Sequence, residues 1–229
     1  MTKRSLRVWD LPTRLFHWTL ALCVLGLFVT GKVGGNAMVW HLRLGLLMLT
    51  LLGFRLLWGV VGARWSRFAQ FTRGPLAVWN YLRGSSPPEH LVGHSPLAGW
   101  AVWLMFIVLT VQTASGLMSD DEIAFFGPLV TQVSGDTVSL ATWWHTEWGQ
   151  LLVLGIVVAH LLAIAYYQLV RRIDLLRPMW SGRKPAHRVP PGEEISSSRV
   201  LLAIVIVALL AAVLGAVVVT APEASLSFF

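Results

Sequence analysis

Five apolar runs dominate this chain and leave it few folds to choose from: roughly Leu15 to Thr30, Val39 to Val61, Leu97 to Met118, Trp144 to Val170, and Val200 to Thr220. A helix needs about 20 apolar residues to cross the hydrocarbon core of a bilayer. Most of the runs reach that length, and the first is extended by its flanks. With 55% hydrophobic and only 13% charged residues, the composition is that of a polytopic membrane protein. The fold expected is all-α and integral to the membrane. Spans fall at about 15–31, 39–61, 97–118 and 144–170 within a domain of residues 1–184. A linker follows over 185–198, then a fifth transmembrane helix over 199–220 and a tail over 221–229.

The net charge of +7 raises the question of nucleic acid, and the placement of the basic residues answers it. Four Lys or Arg precede or include Arg14, four lie from Arg64 to Arg83, and seven from Arg171 to Arg199, whereas Lys32 stands alone on the opposite side. This asymmetry sets topology: the N-terminus and the 185–198 linker are cytoplasmic, and the C-terminal tail is extracytoplasmic. No nucleic-acid partner is expected. No small-residue cleavage site follows the first run in GKVGGNAMVW, so that run reads as a retained helix.

The outer loop SDDEIAFFGPLVTQVSGDTVSLA carries acids and no bases, which agrees with its placement. It reads as a solvated loop or as a dock for a basic partner. The inner loop from Gly62 to Pro96 contains GPLAVWNYLRG, a short interfacial helix with Pro75 in its first turn. The fifth run has small residues at spacing four (Ala208, Ala212, Ala216, with Ala211 and Gly215) and suits close packing without chemistry.

Two histidines in one membrane helix need a reason. His145 and His160 are fifteen residues apart; in a regular helix that is roughly 22 Å along the axis and about 60° around it. The topology puts His41 and His145 near the outer surface and His17 and His160 toward the inner one. Any one of them is as readily an interfacial residue, but four that resolve into two depth-matched pairs suit two haem irons held from opposite axial sides. The single cysteine, Cys23, excludes a disulfide framework, a c-type haem attachment motif and a cysteine metal site. Carboxylate, cysteine or methionine ligands for zinc or copper are nearly absent from the spans.

Two arginines lie within spans. Arg55 stands fourteen residues after His41, about 21 Å deeper on nearly the same face, where a haem propionate or a quinone oxygen would partner it. Arg43 is near the outer pair. Arg14 is one turn before His17 and reads equally as a positive-inside anchor or a propionate contact. Trp40, Trp143, Trp144 and Trp148 form an interfacial belt first and a porphyrin packing surface second. His94, in GHSPLAG, is either a loop residue at the start of the third span or, with Ser95, part of a quinone pocket. His90 and His187 read as plain loop residues.

Taken together, RLFHW, HLRLGLLMLTLLGFRLLWG, GHSPLAG, DDEIAFFGPL, the His145/His160 helix and LLRPMWSGRK resemble the bacterial cytochrome b561 and nickel–iron hydrogenase b-type cytochrome family, in the right order from about Leu6 to Lys184. The resemblance implies a four-helix transmembrane dihaem bundle in the bacterial inner membrane, with the fifth helix outside it. His17, His41, His145 and His160 are then the axial ligands of two b-type haems. It also implies electron exchange between an extracytoplasmic partner, a hydrogenase or a c-type cytochrome, and membrane quinone. Ser95 departs from the Asn that members usually carry at that position.

The function expected is therefore electron transfer, as the subunit of an oxidoreductase of the quinone reductase or quinol oxidase type. Two other readings stand beside it: a stand-alone enzyme passing electrons from superoxide to quinone, and a haem-free membrane anchor or histidine-lined transporter.

Overall fold

A computed structural model describes residues 5–220. The 221–229 tail lies outside the described residues. Among the described residues the α-helices, in chain order, are α1 (Leu11–Val33), α2 (Ala37–Val61), the short α3 (Phe68–Phe71), α4 (Pro75–Leu82), α5 (Pro96–Leu117), α6 (Gly135–Trp143), α7 (Gln150–Leu169), α8 (Leu176–Ser181) and α9 (Val200–Thr220), with two short strands, β1 (Ser5–Arg7) and β2 (Arg183–Pro185), and short 3-10 turns between them. Among the described residues, four helical runs are long and apolar enough to cross a membrane: Leu11–Val33, Ala37–Val61, Pro88–Leu117 and Gly135–Leu169. Many of their leucines and valines are exposed, as a lipid-facing surface requires. The all-α membrane architecture holds, with α9 as the fifth apolar helix.

The fourth span departs from expectation. It starts at Gly135, capped by Ser134, and between α6 and α7 the chain passes through a π-turn over Trp144–Gly149. A single regular helix over 144–170 is thus corrected, and with it the regular spacing assumed between His145 and His160. A π-turn leaves no mark in hydrophobic periodicity, because the apolar run continues through it.

Contacts divide the chain into two compact units. The first comprises Met1–His17, Arg55–Leu104 and Ala159–Val205. Here Asp10 caps α1, accepting from the Thr13 amide at 2.8 Å. The same carboxylate, only 1% exposed, also accepts from the Thr13 hydroxyl at 2.8 Å, the Trp58 indole at 3.2 Å and the Ser66 hydroxyl. A buried carboxylate is tolerable only with such partners.

Beside this knot, β1 and β2 pair antiparallel, with Leu6 opposite Lys184. Gly182 closes α8 at φ 75, a backbone angle that suits glycine. Its carbonyl receives the amides of Val8 at 2.9 Å and Trp9 at 3.1 Å. The 185–198 stretch joins α8 and β2 to α9, yet it is fastened along its length. The Ile195 amide donates to the Arg7 carbonyl at 2.9 Å, and the Trp65 indole to the Glu193 carbonyl at 2.7 Å. Arg64 pairs with the Glu193 carboxylate at 2.7 Å. Val189 and Ile195 are buried with Val8, Trp9, Ala63, Trp65 and Val92 in one apolar cluster. The two buried side chains make this linker a strap.

The second unit comprises Trp18–Phe54, Met105–Val158 and Ile206–Phe229. Gly34 and Gly35, at φ 65 and 52, make the tight turn between α1 and α2. The loop after α5 is organised by Asp121, whose carboxylate accepts the amides of Ile123, Ala124 and Phe125 at 3.0, 2.9 and 2.8 Å. Desolvation, the largest single influence, pushes this carboxyl up, but the backbone donors together outweigh it and hold Asp121 below its ordinary range.

Candidate functional site

In the first unit, the His17 and His160 rings face each other with centroids 6.4 Å apart and planes at 54°. In the second, His41 and His145 lie 6.1 Å apart at 88°. The four histidines assemble into the two pairs read from the sequence.

The second pair shows how a ring is aimed. His41 Nδ1 faces the Leu27 carbonyl at 3.0 Å and the Thr30 hydroxyl at 3.2 Å, while that hydroxyl donates to the Gly26 carbonyl at 2.7 Å. Nδ1 must therefore carry the proton, and Nε2 keeps its lone pair. His145 repeats the arrangement: its Nδ1 faces the Gln112 carbonyl at 2.9 Å and the Ser115 hydroxyl at 3.3 Å, and that hydroxyl donates to the Gln112 carbonyl at 2.9 Å. Each ring also leans on a glycine. A Cβ on Gly31 would stand 3.1 Å from His41 Cε1, and one on Gly116 only 2.6 Å from His145 Cε1. The segments LFVTG (27–31) and QTASG (112–116) thus build the same cradle: a carbonyl, a hydroxyl three residues on, and a glycine four residues on. Sequence reading missed it, although the repeated Ser/Thr-Gly pair was visible.

This geometry fits a haem iron. A metal held between two imidazole nitrogens at about 2.0 Å each sets the ring centres roughly 6 Å apart. Both pairs have that spacing. Among the described residues, no group of three or more His, Cys, Asp or Glu gathers to hold a bare metal ion. Two imidazoles per centre suit an iron already ligated in its plane by a macrocycle.

The arginines are engaged by the protein. Arg55 is buried, donates to the Ser66 carbonyl at 3.0 Å, and lies over Phe68 at 4.5 Å and Phe71 at 5.6 Å. Arg14 donates to the Trp180 carbonyl, tying α1 to α8. Arg43 is exposed, with its guanidinium over Trp40 at 5.1 Å.

His94 sits in the first unit between Trp9 and Phe71, with ring centroids at 4.7 and 4.6 Å. Its Nδ1 is shielded from solvent and has no hydrogen-bond partner. A buried polar atom left without a partner is costly and marks a place for a ligand group. Ser95 caps α5, its hydroxyl accepting the Ala98 amide at 3.3 Å. Asn caps a helix equally well, so Ser at this position keeps the local structure. Nearby, the Lys184 ammonium donates to the carbonyls of Val92 at 2.8 Å and Leu91 at 3.3 Å. Burial, and then the charge of Arg188, pull it down to about 8.

Comparison with known proteins agrees with this arrangement. A family model described as prokaryotic cytochrome b561 matches residues 8–182. A protein of Cupriavidus necator named a probable Ni/Fe-hydrogenase B-type cytochrome subunit is 26% identical, over 76% of this chain and 85% of its own length. The probable Ni/Fe-hydrogenase 1 B-type cytochrome subunit of Escherichia coli K12 is also 26% identical, over 67% of this chain and 79% of its own. A similarly named protein of Rhizobium leguminosarum bv. viciae is 24% identical, over 80% and 90%. No solved structure matches. With the family model running from just after β1 through the end of α8, and so across all four histidines, this chain belongs to the prokaryotic cytochrome b561 family.

Proposed function

We propose that this multi-pass protein of the bacterial inner membrane binds two b-type haems and carries electrons between an extracytoplasmic donor and membrane quinone. His17 and His160 hold one haem, and His41 and His145 the other. The observation that carries this reading is the pair of facing imidazole couples at 6.4 and 6.1 Å. The haem iron supplies one-electron redox chemistry when bound, and bis-histidine ligation leaves it no open position for oxygen.

The residues of the chain do the rest. The Leu27 and Gln112 carbonyls hold the Nδ1 protons and keep both Nε2 lone pairs available. Under the positive-inside rule the N-terminus is cytoplasmic and the C-terminus extracytoplasmic, which makes His41/His145 the outer centre and His17/His160 the inner one. The names of the relatives favour a hydrogenase as donor over a c-type cytochrome. Quinone binds at His94, whose Nδ1 offers the missing hydrogen bond inside the Trp9–Phe71 enclosure. Ser95 positions that histidine by starting α5, and Arg55 is close enough for its charge to act on the same imidazole. Arg14 and Arg43 flank the inner and outer centres as propionate contacts.

A superoxide donor fits less well. Asp120, Glu122 and Glu147 line one groove beside the π-turn, and that face repels an anion. The test is a dithionite-reduced minus oxidised visible spectrum of the purified chain, with haem counted per polypeptide. About two b-type haems per chain support the proposal. None would leave a membrane anchor or a transporter. Replacing His160 by Ala should remove one haem and spare the other, and retention of both would overturn the pairing.

A further inference from the structure

The π-turn has an unexpected guest. Gln112, on α5, lays its side chain into the turn: its amide donates to the His145 carbonyl at 2.9 Å. Its oxygen occupies the place where a Cβ on Gly149 would stand. That oxygen and the Trp144 indole nitrogen are both buried without a hydrogen-bond partner. A π-turn widens the helix by one residue and disturbs its ladder of hydrogen bonds. The amide of Gln112 supplies a donor to a carbonyl within that disturbed turn.

The extra residue also sets direction. His145 and the buried Val153 are eight residues apart, which in a regular helix puts them about 80° apart around the axis. Counting one residue as absorbed by the π-turn brings the half-buried His145 within roughly 20° of Val153, on the same face. A regular helix would swing the His145 ring away from the Gln112 carbonyl that holds its Nδ1.

We propose that Gln112 is the positioning residue of the His41/His145 centre: its side-chain amide holds the π-turn that aims His145, while its main-chain carbonyl fixes the tautomer of the same ring. Gly149 is part of the device, because any side chain there evicts the glutamine. The inference rests on His145 being an iron ligand.

The experiment uses the full-length, haem-loaded chain in detergent. Gln112→Met keeps the size and removes the amide. Its ferric low-spin electron paramagnetic resonance signal and reduction midpoint should shift for one haem and stay put for the other. Transfer of that same haem to apomyoglobin should become easier, reflecting affinity about 10- to 100-fold weaker, the usual cost of removing a group that orients a metal ligand. Gly149→Ala retains every donor and should give the same signature, so it carries the test if Gln112→Met does not accumulate folded. His145→Ala is the control and should lose that haem outright. Retention of both haems in His145→Ala would sink the ligand assignment itself. Loss of one haem there, with signal, midpoint and haem retention unchanged in both Gln112→Met and Gly149→Ala, would overturn the role of Gln112 and leave the ligation standing.

Discussion

Gly31 and Gly116 are small because an imidazole lies against each. A methyl on Gly116 would come to 2.6 Å from His145 Cε1, while one on Gly31 would stop at 3.1 Å from His41 Cε1. Gly116→Ala should therefore displace its ring and lower haem content, and Gly31→Ala should do so less; haem per chain from the pyridine haemochromogen spectrum ranks the two. Asp10 poses a different problem, since it is a cap and a buried acceptor at once. Asp10→Ala uncaps α1 and removes the shared acceptor of the Trp58 indole and the Ser66 hydroxyl, leaving both with the Thr13 hydroxyl alone. A lost cap and a buried hydrogen-bond network without its acceptor should cost about 2–4 kcal/mol, read as a lower unfolding temperature in detergent.

The strand pair and strap link the N-terminus to the chain after α7, and Lys184 gives this element a pH signature. The unfolded chain keeps the lysine proton up to its ordinary value of 10.5, whereas in the folded protein it leaves at about 8. Below that lower value, burying the charge opposes folding in full. Between about 8 and 10.5 the unfolded state binds more protons, so stability should rise with pH across that window. Lys184→Met should flatten the rise, as measured by unfolding temperature from pH 7 to 10. Asp121 works in the opposite direction: its depressed carboxyl stabilises the loop at neutral pH, and the contribution fades as pH falls below the ordinary carboxylate range.

For the molecule as a whole, the family match ends at residue 182, before α9. Leu210 of α9 fills the notch at Gly53, where an added Cβ would meet it at 3.2 Å. A chain ending at Ser198 should keep the full haem complement, because all four histidines precede the truncation, and should unfold at a lower temperature because Gly53 loses its cover. Haem stoichiometry and a melting curve on the truncated chain check both halves.

Apolar length, the bias of Lys and Arg, and histidines stranded in lipid-length helices were enough to read the membrane architecture and the two imidazole pairs. Each reflects a transfer cost that a linear chain carries wherever it folds. The twin Ser/Thr-Gly cradles, the π-turn under His145, the glutamine laid into it and the anchored strap depended on something else. They exist because particular carbonyls, amides and ring edges from distant residues meet at hydrogen-bonding or van der Waals distance. Neither periodicity nor composition encodes those meetings, so the part Gln112 plays exists only where α5 and the π-turn come together around it.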